Sequence, residues 1–546
     1  MTDRQIPPGH ETVVAVLRDA ARRIGDVEAY VEIALADAPG LGSAGPDGRR
    51  RLTFGAWDEA ADGVASLLAD RGVRKGDVVC LLLPSSIDYA VCYQAAARLG
   101  AVTSGVNLRL GEGEREAVLA RCRPKVTVVD TALSPAALPP GVGQVVERGE
   151  LAAAAGRPAP RLPVLSPEDP VCVVWTSGST GRPKGALFDH RNLAAVAAGS
   201  DVLSQPGDRR LSPLPFAHVG YMTRAWDEIG HGITTVVTPQ PWSAAQAIAL
   251  LSGERVTVGQ GVPTQWALVL RHPDLDGADL SSLRVAATGA ARVPAELVRE
   301  MRCRLGCPVV VRYTSTETSL GCGTQPDDPD EVVSTTVGRP VPGVELSVVD
   351  EGGSDVAPGD VGRVRLRSAA VMRGYVATGS ALDREATDSV LDKAGWLTTG
   401  DLGWVDQAGN LHLVGRQAEM YIRGGYNVYP AEVEAVLRRH PGVTDVAVVG
   451  LDDPVLGEIG GAFIVPAPVA AAASPASPAS PESTASTTSR APSLEELRAW
   501  CCRELADYKA PDRLFLLDAL PLTPMGKVDT RALQNRTVVP TARGAS

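Results

Sequence analysis

The chain has 546 residues, of which 44% are hydrophobic and 21% charged, and a formal net charge of −11. This length exceeds what one hydrophobic core supports, so two or more domains are expected. The acidic balance argues against nucleic acid or an anionic membrane as the main partner. No apolar run approaches the ~20 residues of a membrane span, and the first residues lack the apolar core of a signal peptide, so a cytoplasmic enzyme is expected.

Alternating helices and strands are predicted for the first 170 residues. Helical spacing of apolar residues and a terminal glycine predict a helix over 53–72, and the apolar run over 77–84 predicts a buried strand. A helix over 89–100 and a short strand over 101–103 follow. Apolar strands that alternate with helices indicate an α/β fold with helix-covered, mostly parallel sheets, and the same rhythm continues to about residue 320.

A loop rich in glycine and hydroxyl residues follows the apolar run from Val171 to Trp175. Its sequence is TSGSTGRPKG over 176–185. Such a loop exposes backbone N–H groups and hydroxyls that can surround a polyphosphate, and Lys184 adds a positive charge. It is not a Walker A loop, because Pro183 and Gly185 occupy positions that need Gly and Ser or Thr. An ordinary surface turn is the alternative.

The pattern of predicted secondary structure changes in the last 200 or so residues. Short strands broken by turn pairs predict a β-rich subdomain over about 333–416, followed by an α+β unit with a strand over 446–449 and a helix over 494–505. Residues 467–493 are rich in Ala, Ser and Pro and cannot pack a core, so they are predicted to be a disordered, spacer-like insertion. Nine scattered cysteines without a C-x-x-C pair predict buried free thiols rather than disulfides or zinc.

Several motifs closely resemble those of the adenylate-forming superfamily, which contains acyl- and aryl-CoA ligases, nonribosomal-peptide adenylation domains and luciferases. The resemblance covers about residues 50 to 535, apart from the insertion. Besides the loop at 176–185, its motifs are PLPFAHVG at 213–220, TGAA at 288–291, RYTSTE at 312–317, TTGD at 398–401, GR at 415–416, GGYNVYPAEVE at 424–434 and PLTPMGKV at 521–528.

The resemblance implies a large multi-subdomain N-terminal domain, 1–416, whose β-rich part is barrel-like, and a small mobile C-terminal domain, 417–546. It also implies that ATP, Mg²⁺ and coenzyme A are used. Asp401 can accept hydrogen bonds from ribose hydroxyls, and Arg416 can donate to ribose or phosphate oxygens. The residues implied to bind ATP or AMP are Thr176, Ser177, Gly178, Ser179, Thr180, Gly181, Lys184, Gly289, Ala290, Arg312, Tyr313, Thr314, Thr316, Asp401, Arg416 and Lys527.

The same resemblance assigns the chemistry. Lys527 is implied to place an ammonium where negative charge builds during attack on the α-phosphate, and Glu317 offers Mg²⁺ a hard oxygen ligand. The implied catalytic residues are Lys527, Glu317, Lys184 and Arg416, and the implied metal ligands are Glu317 and Thr180. The acyl group is assigned to Phe216, His218, Val219, Gly220 and Ser315, the CoA arm to Gly424, Gly425 and Tyr426, and the hinge between domain orientations to Ala418.

Three positions depart from the family pattern. Thr314 and Thr288 stand where glycine is usual, and Ala418 stands where Asp or Lys is usual. A β-branched residue needs more room than glycine, so adenylation is expected to be the slower half-reaction. No charged catalytic group is missing.

These motifs imply a carboxylate–CoA ligase that activates an uncharged, apolar acid as acyl-AMP and transfers it to CoA. No acidic residue stands in 213–220 to pair with the ammonium of an amino acid. Three alternatives stay open: a ligase that only converts an acyl adenylate made by a partner enzyme, a luciferase-like oxidase, and a non-catalytic binding protein. The acid, the oligomeric state (a homodimer included) and a place in specialised or fatty-acid metabolism stay open as well.

Overall fold

The computed structural model of the protein describes residues 11–33, 40–130, 138, 141–176, 183–289, 293–417, 419–423, 426–453, 455–467, 491–523 and 527–536. The chain divides into two compact units. The large unit comprises Met1–Asp360, Val364–Thr399 and Val405–His412, and the small unit comprises Val361–Arg363, Gly400–Trp404 and Leu413–Ser546. Most of the predicted insertion, residues 468–490, lies outside the described residues.

The described helices are α1 (Val13–Ile24), α2 (Phe54–Asp70), α3 (Ile87–Arg98), α4 (Glu112–Cys122), α5 (Arg148–Ala154), α6 (His190–Ala198), α7 (Val219–Met222), α8 (Ala225–Gly230), α9 (Ala244–Gly253), α10 (Pro263–Arg271), α11 (Ala295–Leu305), α12 (Asp330–Thr335), α13 (Arg384–Asp388), α14 (Pro430–Leu437), α15 (Leu494–Cys501) and α16 (Thr530–Arg536). Short 3₁₀ turns occur at Pro273–Gly277 and Asp507–Lys509.

The described strands are β1 (Glu28–Ile33), β2 (Ser43–Ala44), β3 (Arg49–Thr53), β4 (Val78–Leu82), β5 (Val102–Gly105), β6 (Val126–Val129), β7 (Gln144–Glu147), β8 (Pro170–Thr176), β9 (Lys184–Asp189), β10 (Arg209–Ser212), β11 (Thr234–Val237), β12 (Val258–Gln260), β13 (Val285–Gly289), β14 (Val309–Tyr313), β15 (Cys322–Gly323), β16 (Arg339–Pro340), β17 (Glu345–Val349), β18 (Gly362–Arg367), β19 (Gly374–Thr378), β20 (Ala381–Asp383), β21 (Trp396–Val405), β22 (Leu411–Arg416), β23 (Tyr421–Arg423), β24 (Tyr426–Val428), β25 (Val443–Asp453), β26 (Gly457–Pro466) and β27 (Arg513–Leu516).

Two mixed sheets form the framework of the large unit. The ten-stranded sheet has the order β16-β15-β14-β13-β12-β10-β11-β1-β3-β2, and its middle strands from β14 to β1 are parallel. The eight-stranded sheet has the order β20-β19-β9-β8-β5-β4-β6-β7, parallel from β8 to β7 and antiparallel from β8 to β20. The α/β prediction is confirmed, with antiparallel edge strands added to parallel centres.

The remaining strands form two smaller sheets. A four-stranded sheet has the order β17-β18-β21-β22, within the segment predicted to be β-rich. The small unit contains a five-stranded sheet in which β24, β23, β26 and β25 are successive neighbours and β27 pairs with β26. The helices α14 and α15 bury Val433, Leu437 and Leu497 in the core of that unit.

Local sequence signals explain where several elements begin. Thr53 precedes α2, and its hydroxyl accepts a hydrogen bond from the main-chain N–H of Ala56, which satisfies a donor that the first helical turn leaves free. Ser86 caps α3 in the same way. The strand β4 is buried at every residue, as expected for a parallel strand covered on both faces.

The cysteines are all free thiols, as predicted. Seven are buried, whereas Cys303 and Cys502 are exposed, which corrects the expectation of burial for these two because they lie on the outer faces of α11 and the end of α15. No helix in the described part of the chain is long and apolar enough to cross a membrane.

Candidate active site

The carboxyl ends of three parallel strands place three of the motifs at one edge of the ten-stranded sheet. The strand β10 ends at Ser212 before 213–220, β13 ends at Gly289, and β14 ends at Tyr313 before 314–317. These strands lie within the run β14-β13-β12-β10, so they span about 15 Å at ~4.8 Å per strand. Ligands of open α/β sheets bind at this kind of edge.

The phosphate-loop motif connects β8 to β9 as an antiparallel hairpin, in which Thr176 is paired with Lys184. Residues 177–182, which include the predicted Ser177, Gly178, Ser179, Thr180 and Gly181, lie outside the described residues. At the base of the loop a Cβ on Gly185 would lie 2.6 Å from the side chain of Val173. Glycine at this position therefore permits close packing of the hairpin against the sheet.

Tyr375 on β19 connects the phosphate loop with the predicted metal ligand. The ammonium of Lys184 lies 5.1 Å from the centre of the Tyr375 ring, within the range of a cation–π contact. The Tyr375 hydroxyl donates a hydrogen bond of 2.9 Å to Oε1 of Glu317, and burial together with the Glu317 charge raises the pKa of Tyr375. The phenol therefore stays protonated and remains a donor to the carboxylate.

The loop that carries Glu317 is held by main-chain and hydroxyl contacts. The N–H of Met372 donates to the Glu317 carbonyl at 2.8 Å. The main-chain N–H of Ser315 donates to the Thr318 hydroxyl at 3.2 Å, and Ser319 adopts the left-handed region at φ 57°. The predicted Thr314 side chain is exposed, and Thr316 is half-buried.

The adenine-side residues lie where β13 and β14 run side by side. Gly289 pairs with Arg312, and a Cβ on Gly289 would lie 2.2 Å from the Arg312 carbonyl oxygen. The close approach of the two chains therefore requires glycine at this position. Tyr313 is buried at the end of β14. Ala290 lies outside the described residues.

The predicted acyl-pocket motif divides into a buried and a half-buried part. Phe216 is buried and stacks on Tyr221 with ring centres 3.6 Å apart. His218 precedes α7, and its Nε2 lies 3.2 Å from Nδ2 of Asn107, while Val219 is half-buried and Gly220 exposed. The structure therefore places the His218 end of this motif nearer to solvent and uses Phe216 to anchor it in the core.

A pocket opens beside Thr314 in the large unit. Its wall contains two arginines, Arg224 and Arg312, together with Asp201. Apolar side chains complete the wall: Leu203, Leu320 and Val341.

The small unit brings the predicted ribose residues and the predicted catalytic lysine together. Nε of Arg416 lies 3.2 Å from Oδ1 of Asp401. Desolvation lowers the pKa of Lys527, and the charge of Arg416 lowers it further, while Asp401 and Glu419 oppose both effects. Lys527 is anchored through its main chain, because its carbonyl accepts from the N–H of Thr523 at 2.6 Å.

The CoA-side residues are described only in part. Tyr426 on β24 stacks on Tyr508 with ring centres 4.5 Å apart and is largely exposed. Gly424, Gly425 and the predicted hinge residue Ala418 lie outside the described residues.

The site residues fit the predicted ligands by their chemistry. Glu317 presents a carboxylate whose one oxygen accepts from Tyr375, and Mg²⁺ is commonly held by one or two carboxylates plus substrate phosphates. Within the described ranges no group of three or more His, Cys, Asp or Glu side chains forms a metal cage.

Three residues at these sites were not predicted from the sequence. Tyr375 and Glu419 reach the site through the fold, and no local pattern distinguishes them. Arg224 carries a sequence signal, since it is a charged residue in a mainly apolar stretch, six positions after His218.

Comparison with known proteins identifies the family. The AMP-binding enzyme model matches residues 17–376, and the model of the AMP-binding enzyme C-terminal domain matches residues 432–527. A 3-[(3aS,4S,7aS)-7a-methyl-1,5-dioxo-octahydro-1H-inden-4-yl]propanoyl:CoA ligase of Rhodococcus jostii is 32% identical, over 96% of this chain and 98% of that protein. An indoleacetate–CoA ligase of Aromatoleum aromaticum is 34% identical, over 89% of this chain and 94% of that protein.

A solved structure agrees with this assignment. ATP-bound MatB from Rhodopseudomonas palustris is 26% identical, with a TM-score of 0.79, and the match covers 97% of this chain and 99% of that one. The resemblance stated from the motifs is thereby confirmed. The chain belongs to the AMP-binding enzymes, the adenylate-forming superfamily that contains the acyl- and aryl-CoA ligases.

Proposed function

We propose that this AMP-forming acid–CoA ligase activates an uncharged, mainly apolar carboxylic acid in two half-reactions. In the first, a carboxylate oxygen bonds to the α-phosphorus of ATP and pyrophosphate leaves. In the second, the CoA sulfur bonds to the acyl carbon, and AMP leaves with the carboxylate oxygen. The observation that carries the proposal is the convergence of Lys184, Tyr375 and Glu317.

In the large unit, Lys184 is proposed to bind the phosphates that the loop 176–181 surrounds, and Glu317 is proposed to hold Mg²⁺ with Thr180. The bound ion supplies positive charge to the phosphate oxygens. Tyr375 keeps the Glu317 carboxylate oriented through its hydrogen bond, as partners of metal ligands commonly do. The nucleotide contacts of Gly289, Tyr313, Thr314 and Thr316 stay predictions.

In the small unit, Asp401 is proposed to bind the ribose hydroxyls and Arg416 the phosphate side. Lys527 is proposed to donate to the oxygens that become negative during the first half-reaction. A rotation at Ala418, between domains 1–416 and 417–546, is proposed to exchange Lys527 for the CoA arm. Gly424, Gly425 and Tyr426 are proposed to accept that arm.

The acyl group is proposed to be ring-bearing. Two relatives are named for a dioxo-indenyl propanoyl group and for indoleacetate, both ring systems joined to a short carboxylate arm. No acidic residue stands between Phe216 and Gly220, and Asp201 in the pocket wall is paired with Gln325 at 2.8 Å and faces Arg312. A buried ammonium would lack a free partner and is therefore disfavoured.

The proposal is tested by incubating the protein with ATP, Mg²⁺, CoA and a panel of ring-bearing and straight-chain acids, with mass detection of the thioester. Thioester together with AMP supports it. Thioester from supplied acyl-AMP alone would favour the enzyme that completes only the second half-reaction. CoA as acceptor rather than oxygen is favoured because the reported relatives are named as CoA ligases.

A further inference from the structure

Two largely buried arginines line the pocket beside Thr314: Arg224 has no assigned function, and Arg312 has only the nucleotide role that the family resemblance implies. The side chains of Arg224 and Arg312 are each 13% exposed, and both line the pocket with Leu203, Leu320 and Val341. Arginine is rarely buried without a partner. Two arginines in a wall that is otherwise largely apolar therefore require an explanation.

One hydrogen-bond donor of Arg312, its Nη2 group beside the pocket, is left without a hydrogen-bond partner in the described part of the chain. Its Nη1 donates to the Thr324 carbonyl at 2.7 Å, which fixes the guanidinium along β15. Its Nη2 is buried and makes no hydrogen bond among the described residues, and the nearest carboxylate oxygen, on Asp201, is 3.7 Å away. Buried polar groups are rarely left unsatisfied in native proteins, so this donor indicates an acceptor that arrives with a ligand.

The side chain of Arg224 is held in place by the carboxylate of Asp227. Its Nη1 donates to Oδ2 of Asp227 at 3.2 Å, and the same oxygen accepts from Arg210 and Ser204. A guanidinium carries five N–H donors, and the contact with Asp227 leaves the others available to the pocket side. Burial lowers the pKa of Arg224 and lowers the pKa of Arg312 to about 10; both groups remain charged at neutral pH.

The charge around the pair favours an uncharged acceptor. Each guanidinium already faces a carboxylate: Asp201 for Arg312, and for Arg224 the carboxylate of Asp227, which Arg224 shares with Arg210. An additional carboxylate from a substrate would compete with these two and lose its own hydration. A carbonyl oxygen would satisfy the free N–H donors without adding charge to a buried site.

We propose that Arg224 and Arg312 form a specificity subsite that binds a ketone-type oxygen on the acyl group, remote from the reacting carboxylate. The inference rests on the proposed function and refines it. The acid is a mainly apolar ring compound that carries one hydrogen-bond-accepting oxygen at its distal end. Thr314 lines the same pocket and belongs to the segment 312–317 that carries Glu317, so the ring would extend from the reaction centre past Thr314 toward the two arginines.

The test uses three acids with one skeleton: 3-(4-oxocyclohexyl)propanoate, 3-cyclohexylpropanoate and 3-(4-carboxycyclohexyl)propanoate. The kcat/KM of ATP-dependent thioester formation is measured for each. The wild-type protein should prefer the oxo acid over the unsubstituted acid by at least about tenfold, because a site built to hydrogen-bond an oxygen rejects the analogue that lacks it.

Two variants test whether the preference for the oxo acid depends on the two arginines. Arg224→Met should reduce the ratio toward one, mainly through a higher KM for the oxo acid, with the unsubstituted acid little affected. Arg312→Met should also reduce the ratio, because any loss in nucleotide binding affects both acids equally and cancels in the ratio. If Arg312→Met fails to fold after losing its bond to Thr324, Arg224→Met and Arg312→Lys carry the test, and Arg312→Lys should give an intermediate ratio. Arg299→Met is the matched control, since Arg299 is exposed on α11 and paired only with Glu296 in the contacts described.

The outcomes separate this inference from the proposed function. Thioesters from all three acids at equal kcat/KM would overturn the subsite while leaving the ligase activity intact. A preference for the dicarboxylate would overturn the uncharged acceptor in favour of an anion. No thioester from any acid in the wild-type protein would refute the ligase proposal and the subsite together.

Discussion

Replacing Tyr375 with Phe should weaken adenylation without affecting thioester formation. The substitution removes the hydroxyl that donates to Glu317 at 2.9 Å and retains the ring that lies 5.1 Å from the Lys184 ammonium. A hydrogen bond to a charged group contributes ~1.5–3 kcal/mol, and each 1.36 kcal/mol corresponds to about tenfold in rate. Because part of this energy is recovered by water, we expect about a tenfold loss in kcat/KM for Mg·ATP.

The assay separates the two half-reactions. Pyrophosphate release with acid, ATP and increasing Mg²⁺ measures the first, and conversion of supplied acyl-AMP with CoA measures the second. Tyr375→Phe should raise the Mg²⁺ requirement of the first and leave the second within about twofold, while Tyr375→Leu should cost more because Lys184 also loses its ring contact.

The control is Tyr421→Phe, which removes a buried hydroxyl that makes no hydrogen bond to any other residue that the structure describes. It should leave both half-reactions unchanged. If Tyr375→Phe slows both half-reactions equally, or slows neither, Tyr375 does not act through Glu317 and the reasoning is wrong.

Three further predictions concern catalysis and stability. Lys527→Ala should lose acyl-AMP formation but still convert supplied acyl-AMP to thioester. Because desolvation and the charge of Arg416 lower the pKa of Lys527, the rate of adenylation should decline at a lower alkaline pH in the wild-type protein than in Lys527→Arg. Superimposable pH profiles of the two proteins would contradict the catalytic role of the Lys527 ammonium. Gly63→Ala places a Cβ 2.1 Å from a main-chain oxygen of α5 and should destabilise the protein by ~1–3 kcal/mol. The Cβ added by Gly113→Ala on α4 meets nothing within 4 Å, so this variant should stabilise the protein by up to about 1 kcal/mol. A lower melting temperature for Gly113→Ala than for Gly63→Ala would refute the packing argument. Burial lowers the pKa of His190 to about 4 from about 6.5 in the unfolded chain. Between these two pKa values the unfolded state binds more protons, so the free energy of unfolding falls as the pH decreases from about 6.5 to about 4. The urea midpoint of the wild-type protein should therefore drop between pH 7 and pH 5, and that of His190→Gln should drop less; an equal drop in both would exclude His190 as the cause.

Element positions in the large unit could be predicted because local signals and burial agree. The helix predicted over 53–72 is Phe54–Asp70, since Thr53 caps its start. The strand predicted over 77–84 is Val78–Leu82, which ends one residue before the apolar run does at Leu83. Element ends differ by a few residues because the hydrogen-bond pattern, rather than residue type, decides where a strand stops.

The motif residues could be placed on strand ends, whereas their partners could not be predicted. Tyr375 lies 58 residues from Glu317 and reaches it because the chain just before β19 contacts the Glu317 loop, where the N–H of Met372 donates to the Glu317 carbonyl. Glu419 and Arg224 likewise act through tertiary contacts. Phe216, predicted to contact the acyl group, stacks on Tyr221, a partner that the sequence alone did not indicate; its contact with the acyl group stays a prediction.

The central claim is that the acid's own oxygen attacks the α-phosphorus of ATP. It is tested most directly with an acid labelled with ¹⁸O in both carboxylate oxygens, using ATP, Mg²⁺ and CoA, and mass analysis of the AMP produced. The two-step reaction transfers one labelled oxygen to each AMP, with unlabelled pyrophosphate. Unlabelled AMP, or label in inorganic phosphate beside ADP, would contradict an acyl-adenylate intermediate and with it this account of the site.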